Sequence, residues 1–454
     1  MSRVVILGGG PAGLYAALLL TRRDIPVTLL EREGFPGGLA AGIEVSGMRV
    51  DHGSHRLHPS TDPAILDDLR VLLDDGLEER PRNGRIRLGD RFLSFPLSPG
   101  DVITRLPVRT TMRLVGGAAM ATVTPSSQTT FADVVATGLG RPMGELFYYP
   151  YARKIWGLDP NLLSGEQARR RISADTPWKL AHKTLSSGSG RSFFYPRRGF
   201  GHITEAIADT ATRAGADIRL GSTVSALCRN DTGWEVHVGA ERHKAGLVLS
   251  TMPMTVLARL IGPTADVTEA LTSLRWRAMV LVYITVDAPR WTAFDAHYFP
   301  GENVPFTRIS EPKNYRDSEE DPSDRTVLCV EIPCDTEDAV WSADDDQLAA
   351  VVRGGIVDQG LPDPGRNVKV RRLPHAYPVY ELGAENALMT VDTWLGSHRG
   401  LVTYGRQGLF AHDNTHHALA MARDAVACID PSLRFDGEAW SRARERFTHH
   451  VVED

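Results

Sequence analysis

Four consecutive apolar residues, Val4-Val5-Ile6-Leu7, run directly into Gly8-Gly9-Gly10-Pro11-Ala12-Gly13, and no other stretch restricts the fold as much. An uninterrupted apolar run with three β-branched members predicts a short strand buried on both faces. The glycines predict a tight turn into a helix over about Leu14 to Thr21. Gly8, Gly10 and Gly13 occupy the three glycine positions of G-x-G-x-x-G. The first permits the turn, the second leaves room for a pyrophosphate against bare backbone, and the third lets helix and strand pack closely. Free amides at the helix start, where Pro11 and Ala12 lie, and the positive end of the helix dipole then suit the phosphates. A second strand, Pro26 to Leu30, ends in Glu31, placed as expected of an acid that binds a ribose hydroxyl pair. A glycine-rich turn in an ordinary α/β unit is the competing reading. Strand, turn, helix, strand and acid in this order favour a dinucleotide and a doubly wound, Rossmann-like α/β domain.

At 454 residues the chain is too long for one simple core, and two or three domains are expected. A hydrophobic fraction of 42% with 24% charged residues describes a globular chain rather than a disordered or fibrous one. The net charge of −5 gives no basis for a nucleic-acid partner. Cys228, Cys329, Cys334 and Cys428 form no C-x-x-C pair. That spacing offers neither a zinc site nor a disulfide framework, and it fits a reducing cytoplasm. Val4 to Leu20 is nearly uncharged and follows Arg3, as a short secretory signal would. Glycine and proline interrupt it, however, and Thr21-Arg22-Arg23 stands where a small-residue cleavage site would be needed. No other segment approaches the length of a membrane span.

Beyond Glu31 and the adjoining Arg32 come Gly34-Phe35-Pro36-Gly37-Gly38-Leu39-Ala40 and Asp51-His52-Gly53-Ser54-His55. With the first turn, these resemble the amino-terminal FAD-binding signature of the flavin amine oxidase superfamily, which includes protoporphyrinogen oxidases, phytoene desaturases and UDP-galactopyranose mutases. The resemblance implies that Gly37-Gly38, with Leu39 and Ala40 after them, brings main chain against the flavin side of the pyrophosphate. It also implies that Asp51, Gly53 and His55 lie beside the isoalloxazine. Amine oxidases proper often carry Arg directly after the Gly-Gly pair, where this chain has Leu39. Near the other end, Tyr404-Gly405-Arg406 and Ala411-His412-Asp413-Asn414-Thr415-His416-His417 precede a helical run from Ala418 to Ile429. This resembles the carboxy-terminal flavin segment of the oxidase-like and mutase-like branches, and it implies cofactor contacts for Arg406, Asp413, Asn414 and His416. Val224 matches the place where backbone meets the adenine. A helix start near Asn414 to His417 would also favour the negative charge of a reduced flavin.

Taken in order, the chain divides into a cofactor domain of three pieces, 1–80, 197–262 and 386–454, and a substrate domain of two, 81–196 and 263–385. The alternations Arg85 to Leu88 and Arg91 to Phe95 read as a hairpin. Residues 108–171 read as helical, with Thr130 or Thr129 capping a helix that begins at Phe131. Tyr148 to Gly157 reads either as aromatic helix contacts with Arg153 and Lys154 solvated or as a segment with a part in substrate binding, and it is assigned to the substrate domain. Ser186 to Gly190 reads as a flexible connection, followed by a helix from about His202 to Ala214. Trp234 to Val238 and Leu247 to Thr251 read as a strand pair, and 276–372 as a mostly antiparallel sheet. The polar stretch from Lys313 to Arg325 reads as an exposed loop with a solvated acidic run.

His55 is a candidate for contact with flavin or substrate, and equally for a structural part in its glycine loop. Arg56, Arg308 and Arg399 are the cations that an anionic or sugar-containing substrate would need, though each also reads as a surface or capping residue. His412 and His416, four apart, could share a metal on one helical face, but no third ligand is apparent and no metal is expected. Neither a Ser-His-Asp nor a Cys-His constellation is present. The expectation is a cofactor that does the chemistry while the protein positions and desolvates a small-molecule substrate. The predicted reaction is dehydrogenation of a small polar metabolite by hydride transfer to flavin N5, with oxygen or another electron acceptor restoring the flavin. The alternatives are a redox-neutral sugar-nucleotide mutase and a flavin-binding protein without catalysis.

Overall fold

The computed structural model describes residues 3–97, 99–121, 127–171, 192–231 and 233–452. Its first sheet has five parallel strands in the order Leu401–Thr403, Leu247–Ser250, Val4–Leu7, Val27–Leu30 and Asp217–Arg219. Because side chains alternate along a strand, Val4 and Ile6 enter one core while Val5 and Leu7 enter another. Three helices cover the first face, Pro11–Thr21, Gly201–Arg213 and Thr415–Ala427, through residues such as Leu14, Ile207 and Leu419. Met254–Ile261 and Ala384–Gly396 cover the second through Leu257 and Val391. Full burial of each such side chain contributes about 1.5–3 kcal/mol. A strand buried on both sides therefore anchors the sheet, as the apolar run predicted, and the doubly wound α/β class is borne out. The first helix starts at Pro11 rather than near Leu14, since proline's missing N–H costs nothing in a helix's first turn.

One expected pairing is different. Gly233–Val238 pairs antiparallel with Val224–Asn230 and Glu241–Ala245 in a separate three-stranded sheet. Leu247–Ser250 instead joins the parallel sheet, where its four fully buried residues belong.

The second large sheet has seven strands, ordered Val368–Val379, Arg275–Val286, Thr326–Cys334, Arg308–Ser310, Ala296–Tyr298, Gly84–Leu88 and Arg91–Phe95. All neighbours are antiparallel except Ala296–Tyr298 with Gly84–Leu88, so the early hairpin docks on strands made two hundred residues later. One face packs against the helix Asp345–Asp358 through Val280, Val330, Leu348 and Val352. The other packs Met279, Leu281 and Tyr283 against Val45, Met48 and Val50 of the hairpin Gly42–Val45 and Met48–Asp51. Beside this sheet lie the helices Val108–Ala121, Phe131–Leu139, Tyr149–Trp156 and Gly165–Arg171. Thr130 caps Phe131–Leu139 through a reciprocal pair of bonds with Asp133, each 3.1 Å.

Two segments read as solvated are partly internal. Lys154 Nζ donates to Phe299 O at 2.7 Å and Phe306 O at 3.0 Å, and burial pushes its pKa down to about 7. In the loop after Lys313, the Arg316 side chain is 1% exposed and pairs with a buried Asp321, 5% exposed, at 2.6 Å. Composition alone marks such charges as surface, but a carbonyl pair or a carboxylate makes burial tolerable. The connection Ser186 to Gly190 lies outside the described residues. Among the described residues no helix is long and apolar enough to cross a membrane.

Candidate active site

Between the two large sheets runs a cavity of about 390 Å³. Its near end is the glycine turn. Gly8 has φ +103°, and a Cβ there would lie 2.5 Å from Thr251 Oγ1, so only glycine suits the position. Gly13 is closed in a different way, because a Cβ would collide with the Gly8 carbonyl. At Gly10 a Cβ would meet nothing within 4 Å. The second glycine segment is laid against the first: Gly37 N donates to Gly9 O at 2.7 Å, and a Cβ on Gly38 would come within 3.2 Å of Gly10 Cα. Glu31 closes the turn, its Oε2 accepting from Gly9 N at 2.5 Å and its Oε1 from Glu33 N at 2.8 Å. A carboxylate has about four acceptor positions, so two remain for a hydroxyl pair.

The far wall comes from the seven-stranded sheet, and its register decides which side chains appear there. Leu281 lies opposite Arg371 on one neighbour and Glu331 on the other, and Glu331 lies opposite Arg308. One cross-strand row therefore presents Arg371, Leu281, Glu331 and Arg308 to the cavity. Arg308 and Glu331 form a bidentate pair at 2.9 and 2.8 Å, and Glu331 also accepts from Ser54 N at 2.7 Å. Arg56 is held by Asp295 at 3.3 Å and by Tyr298 Oη at 3.1 Å, with the rings of Phe193 and Tyr315 about it. His55 stacks on Phe200 and sets Nε2 at 3.0 Å from His52 O; burial lowers its pKa. Asp51 turns away from the cavity. Its carboxylate accepts from Tyr195 Oη and from Gly201 N, tying the start of the Gly201–Arg213 helix to the loop.

At the carboxy-terminal end, Arg406 bridges two segments: Nη1 donates to Asp413 O and Nη2 to Ala376 O, both at 2.8 Å. Gln407 Nε2 adds a bond to His375 O at 2.7 Å. Asn414 caps the Thr415–Ala427 helix in a box with His417. Asp413 Oδ1 lies 3.0 Å from His450 Nδ1 and 3.3 Å from His417 Nδ1, and these imidazoles hold its carboxyl well below the usual carboxylate range against the opposing effect of burial.

Of the predicted site residues, Gly8, Gly10, Pro11, Ala12, Glu31, Arg32, Gly38, Leu39, Ala40, His55, Arg56, Val224, Arg308, Arg406, Asp413 and Asn414 line this one cavity. Gly13 and Gly37 shape the turn from behind. His416 does not line the cavity; its ring stacks on His58 and lies tilted against His417. The Arg399 side chain is exposed, and its carbonyl receives Trp234 Nε1 at 3.2 Å. His412 and His416 do not share a face, since His412 sits against Gln167. Asp413, His417 and His450 do bring ligand atoms within 4.8 Å of one another. The two rings are stacked 10° from parallel, however, and Asn414 N donates to His417 Nδ1 at 3.2 Å. Parallel rings cannot both aim an in-plane lone pair at one ion, so the arrangement is a hydrogen-bonded stack.

Comparison with known proteins decides the family. The profile of the flavin containing amine oxidoreductases matches residues 11–385, more than four fifths of the chain. The chain belongs to that family. FAD is therefore the cofactor of this amine oxidoreductase family member. Phytoene dehydrogenase of Streptomyces griseus is 27% identical over 319 residues, 58% of this chain and 57% of that protein. Phytoene desaturase of Fusarium fujikuroi is 24% identical over 253 residues, 49% and 44% of the two chains. The chain thus spans about half the length of these relatives. In fold it resembles a reduced UDP-galactopyranose mutase, with a TM-score of 0.83 and 20% identity covering 100% of both chains. It also resembles putrescine oxidase bound to putrescine, with a TM-score of 0.64 and 15% identity over 94% of this chain and 98% of that one.

The cavity suits FAD on its own evidence. His52 Nε2, Arg371 Nε, Arg406 Nε and Asp413 Oδ2 are buried on its lining residues without a partner among the described residues. Such atoms are costly unless something meets them, and a flavin dinucleotide brings carbonyl, hydroxyl and phosphate groups in number. Sequence reasoning missed Arg371, Met279, Leu281, Glu331, Thr251 and Tyr377, which line the same cavity. Alternation along Val368–Val379 was the available signal, since it puts Arg371, Leu373 and His375 on one face.

Burial also makes a statement about acid. His52 and His375 are pushed down to about 4, His297 to about 3 and His416 to about 2, in each case first by desolvation. An unfolded histidine titrates near 6.5, so below that pH the unfolded chain binds more protons. The contribution of these rings is then flat above about pH 6.5 and falls as pH drops toward 4, by about 1.4 kcal/mol per pH unit for each ring that stays neutral. Asp413 adds a second loss, confined to pH below about 4, where the unfolded carboxyl becomes protonated. Urea midpoints at pH 7.5, 6.5, 5.5 and 4.5 measure this. A midpoint unchanged between 6.5 and 4.5 would show that the rings accept protons in place.

Proposed function

We propose that the chain dehydrogenates a small, polar, negatively charged metabolite, with oxygen or another acceptor taking the electrons. What supports this most is the charge of the wall. The residues around the cavity include eight arginines, Arg371 and Arg308 among them, against four carboxylates. The pyrophosphate of FAD answers part of that excess, and an anionic substrate answers the rest. The names of the similar proteins carry phytoene, putrescine and UDP-galactopyranose, three unlike chemistries. The substrate is therefore read from the cavity.

In this reading Gly8, Gly10, Pro11 and Ala12 hold the pyrophosphate, Gly38, Leu39 and Ala40 its flavin side, and Glu31 with Arg32 the ribose. Val224 faces the adenine, and Arg406, Asp413 and Asn414 face the flavin end. Pieces 1–80, 197–262 and 386–454 form the cofactor domain, and 81–196 with 263–385 the substrate domain. FAD, when bound, supplies a hydride acceptor at N5. Arg308, its guanidinium plane fixed by Glu331, offers an oriented cation to a carboxylate or phosphate. Arg56, fixed by Asp295 and Tyr298, adds a second cation where little water competes. His55 donates its Nε2–H to His52 O in a hydrogen bond, which leaves Nδ1 with its lone pair, and burial keeps the ring neutral as a proton acceptor.

The test is the anaerobic spectrum of oxidised holoprotein mixed with candidate carboxylic acids, amines and sugar nucleotides. The expected result is bleaching of the flavin band in one turnover by an acidic substrate, with a dehydrogenated product. Turnover only after prior reduction, with a product isomeric to the substrate, would replace the proposal with a redox-neutral mutase.

A further inference from the structure

The helix Val108–Ala121 buries a single residue, Leu114. Its inner face is made of small residues that let it lie close to the body. A Cβ on Gly117 would stand 2.5 Å from the Pro142 ring, and one on Gly140 would stand 2.5 Å from the Gly117 backbone. The outer face is different. Val108, Met112 and Val115 are 68%, 69% and 62% exposed, at intervals of four and three residues that set them in one line along the helix. Met120, farther round on the arginine side, and Ile103, on the preceding helix Pro99–Arg105, are each 62% exposed as well. Single exposed apolar residues are ordinary, but a line of them on one helix is a surface that something covers.

The charge beside the line indicates what covers it. The helix carries Arg109 and Arg113 along one border and no acidic residue. Arg105 and Arg141 lie nearby; among the described residues Arg105 pairs with Asp101, and Glu145 is shared by Arg113 and Arg141 at 3.3 and 3.0 Å. We propose that this face docks on an anionic lipid surface, with the helix lying in the plane of the interface, the apolar line inserted and the arginines at the headgroups. An amphipathic helix with a cationic border has this mode of binding, and acidic headgroups supply the charge that the helix lacks. A second copy of the chain is a poorer occupant. Antiparallel two-fold pairing of the face would bring the arginine borders of the two helices to one side, with no acid on either helix. The proposal uses no residue of the cavity, so it stands or falls separately from the reaction.

The test is flotation of the full-length, flavin-loaded protein with vesicles of equal phosphatidylglycerol and phosphatidylcholine, and with vesicles of phosphatidylcholine alone. The protein is expected to float with the anionic vesicles, and less as salt is raised. The combined variant Val108→Glu, Met112→Glu and Val115→Glu should reduce the bound fraction at least tenfold while flavin content and thermal midpoint stay as in the parent. Arg109→Glu with Arg113→Glu should remove the preference for anionic vesicles. A parent protein that stays at the bottom of the gradient overturns the proposal, as does a triple variant that floats like the parent. So does light scattering that shows a dimer broken by the triple variant, which would assign the face to a second copy.

Discussion

Gly10→Val is expected to fold and to purify without flavin colour. The position has an ordinary φ of −77°, and a Cβ there meets no atom of the protein within 4 Å, so valine brings no internal clash. Its methyl groups instead enter the cavity where the proposal puts the pyrophosphate. FAD affinity should fall at least about a hundredfold, equivalent to about 3 kcal/mol. Gly13→Val is the informative partner. Its Cβ would strike the Gly8 carbonyl, and that clash of backbone against side chain should cost the fold itself. The ratio of 450 nm to 280 nm absorbance, read beside the thermal midpoint, separates the two outcomes. A Gly10→Val protein with full flavin content would mean that the cofactor lies elsewhere.

Arg406→Ala should lose both stability and flavin. Its guanidinium serves the carbonyls of Asp413 and Ala376, which belong to the helix-start segment and to the seven-stranded sheet respectively. Alanine leaves both carbonyls short of a charged donor and frees the two walls of the cavity from each other. A cost of about 3 kcal/mol is expected. Arg406→Lys should recover part of it, because one ammonium cannot span two carbonyls as a planar fork does. Urea unfolding with flavin content as a second readout measures this. If the alanine variant matches the parent in both, the bridge between the walls is idle.

These two residues also mark how much was legible beforehand. The glycine turn could be read because everything it needs lies within about thirty residues: an apolar run, three glycines at fixed spacing and the acid that closes them. Arg406 could be found only by resemblance, and the partners that explain it lie 7 and 30 residues away along the chain. The row of Arg371, Leu281, Glu331 and Arg308 was out of reach. Its members lie on four strands, and only the register of those strands puts them side by side. Arg308 was named as one of several scattered cations, without the Glu331 that orients it. Lys154 and Arg316 show the opposite failure. Both were read as solvated from residue type, because sequence does not reveal whether a distant carbonyl or carboxylate waits for a buried charge.

The central position of Val4–Leu7 in the parallel sheet has a further consequence during synthesis. Its neighbours are Val27–Leu30 on one side and Leu247–Ser250 on the other, and the edge beyond is Leu401–Thr403. At about 5–20 residues per second, roughly ten to fifty seconds separate the emergence of the first strand from that of its second neighbour. Throughout that interval a β-branched, wholly apolar strand has one unpaired edge, the kind of surface that sticks to other nascent chains. The turn made first is thus among the last parts to be enclosed. Capture of the yellow cofactor has to wait for nearly the whole polypeptide, which makes colour a reporter of completed assembly.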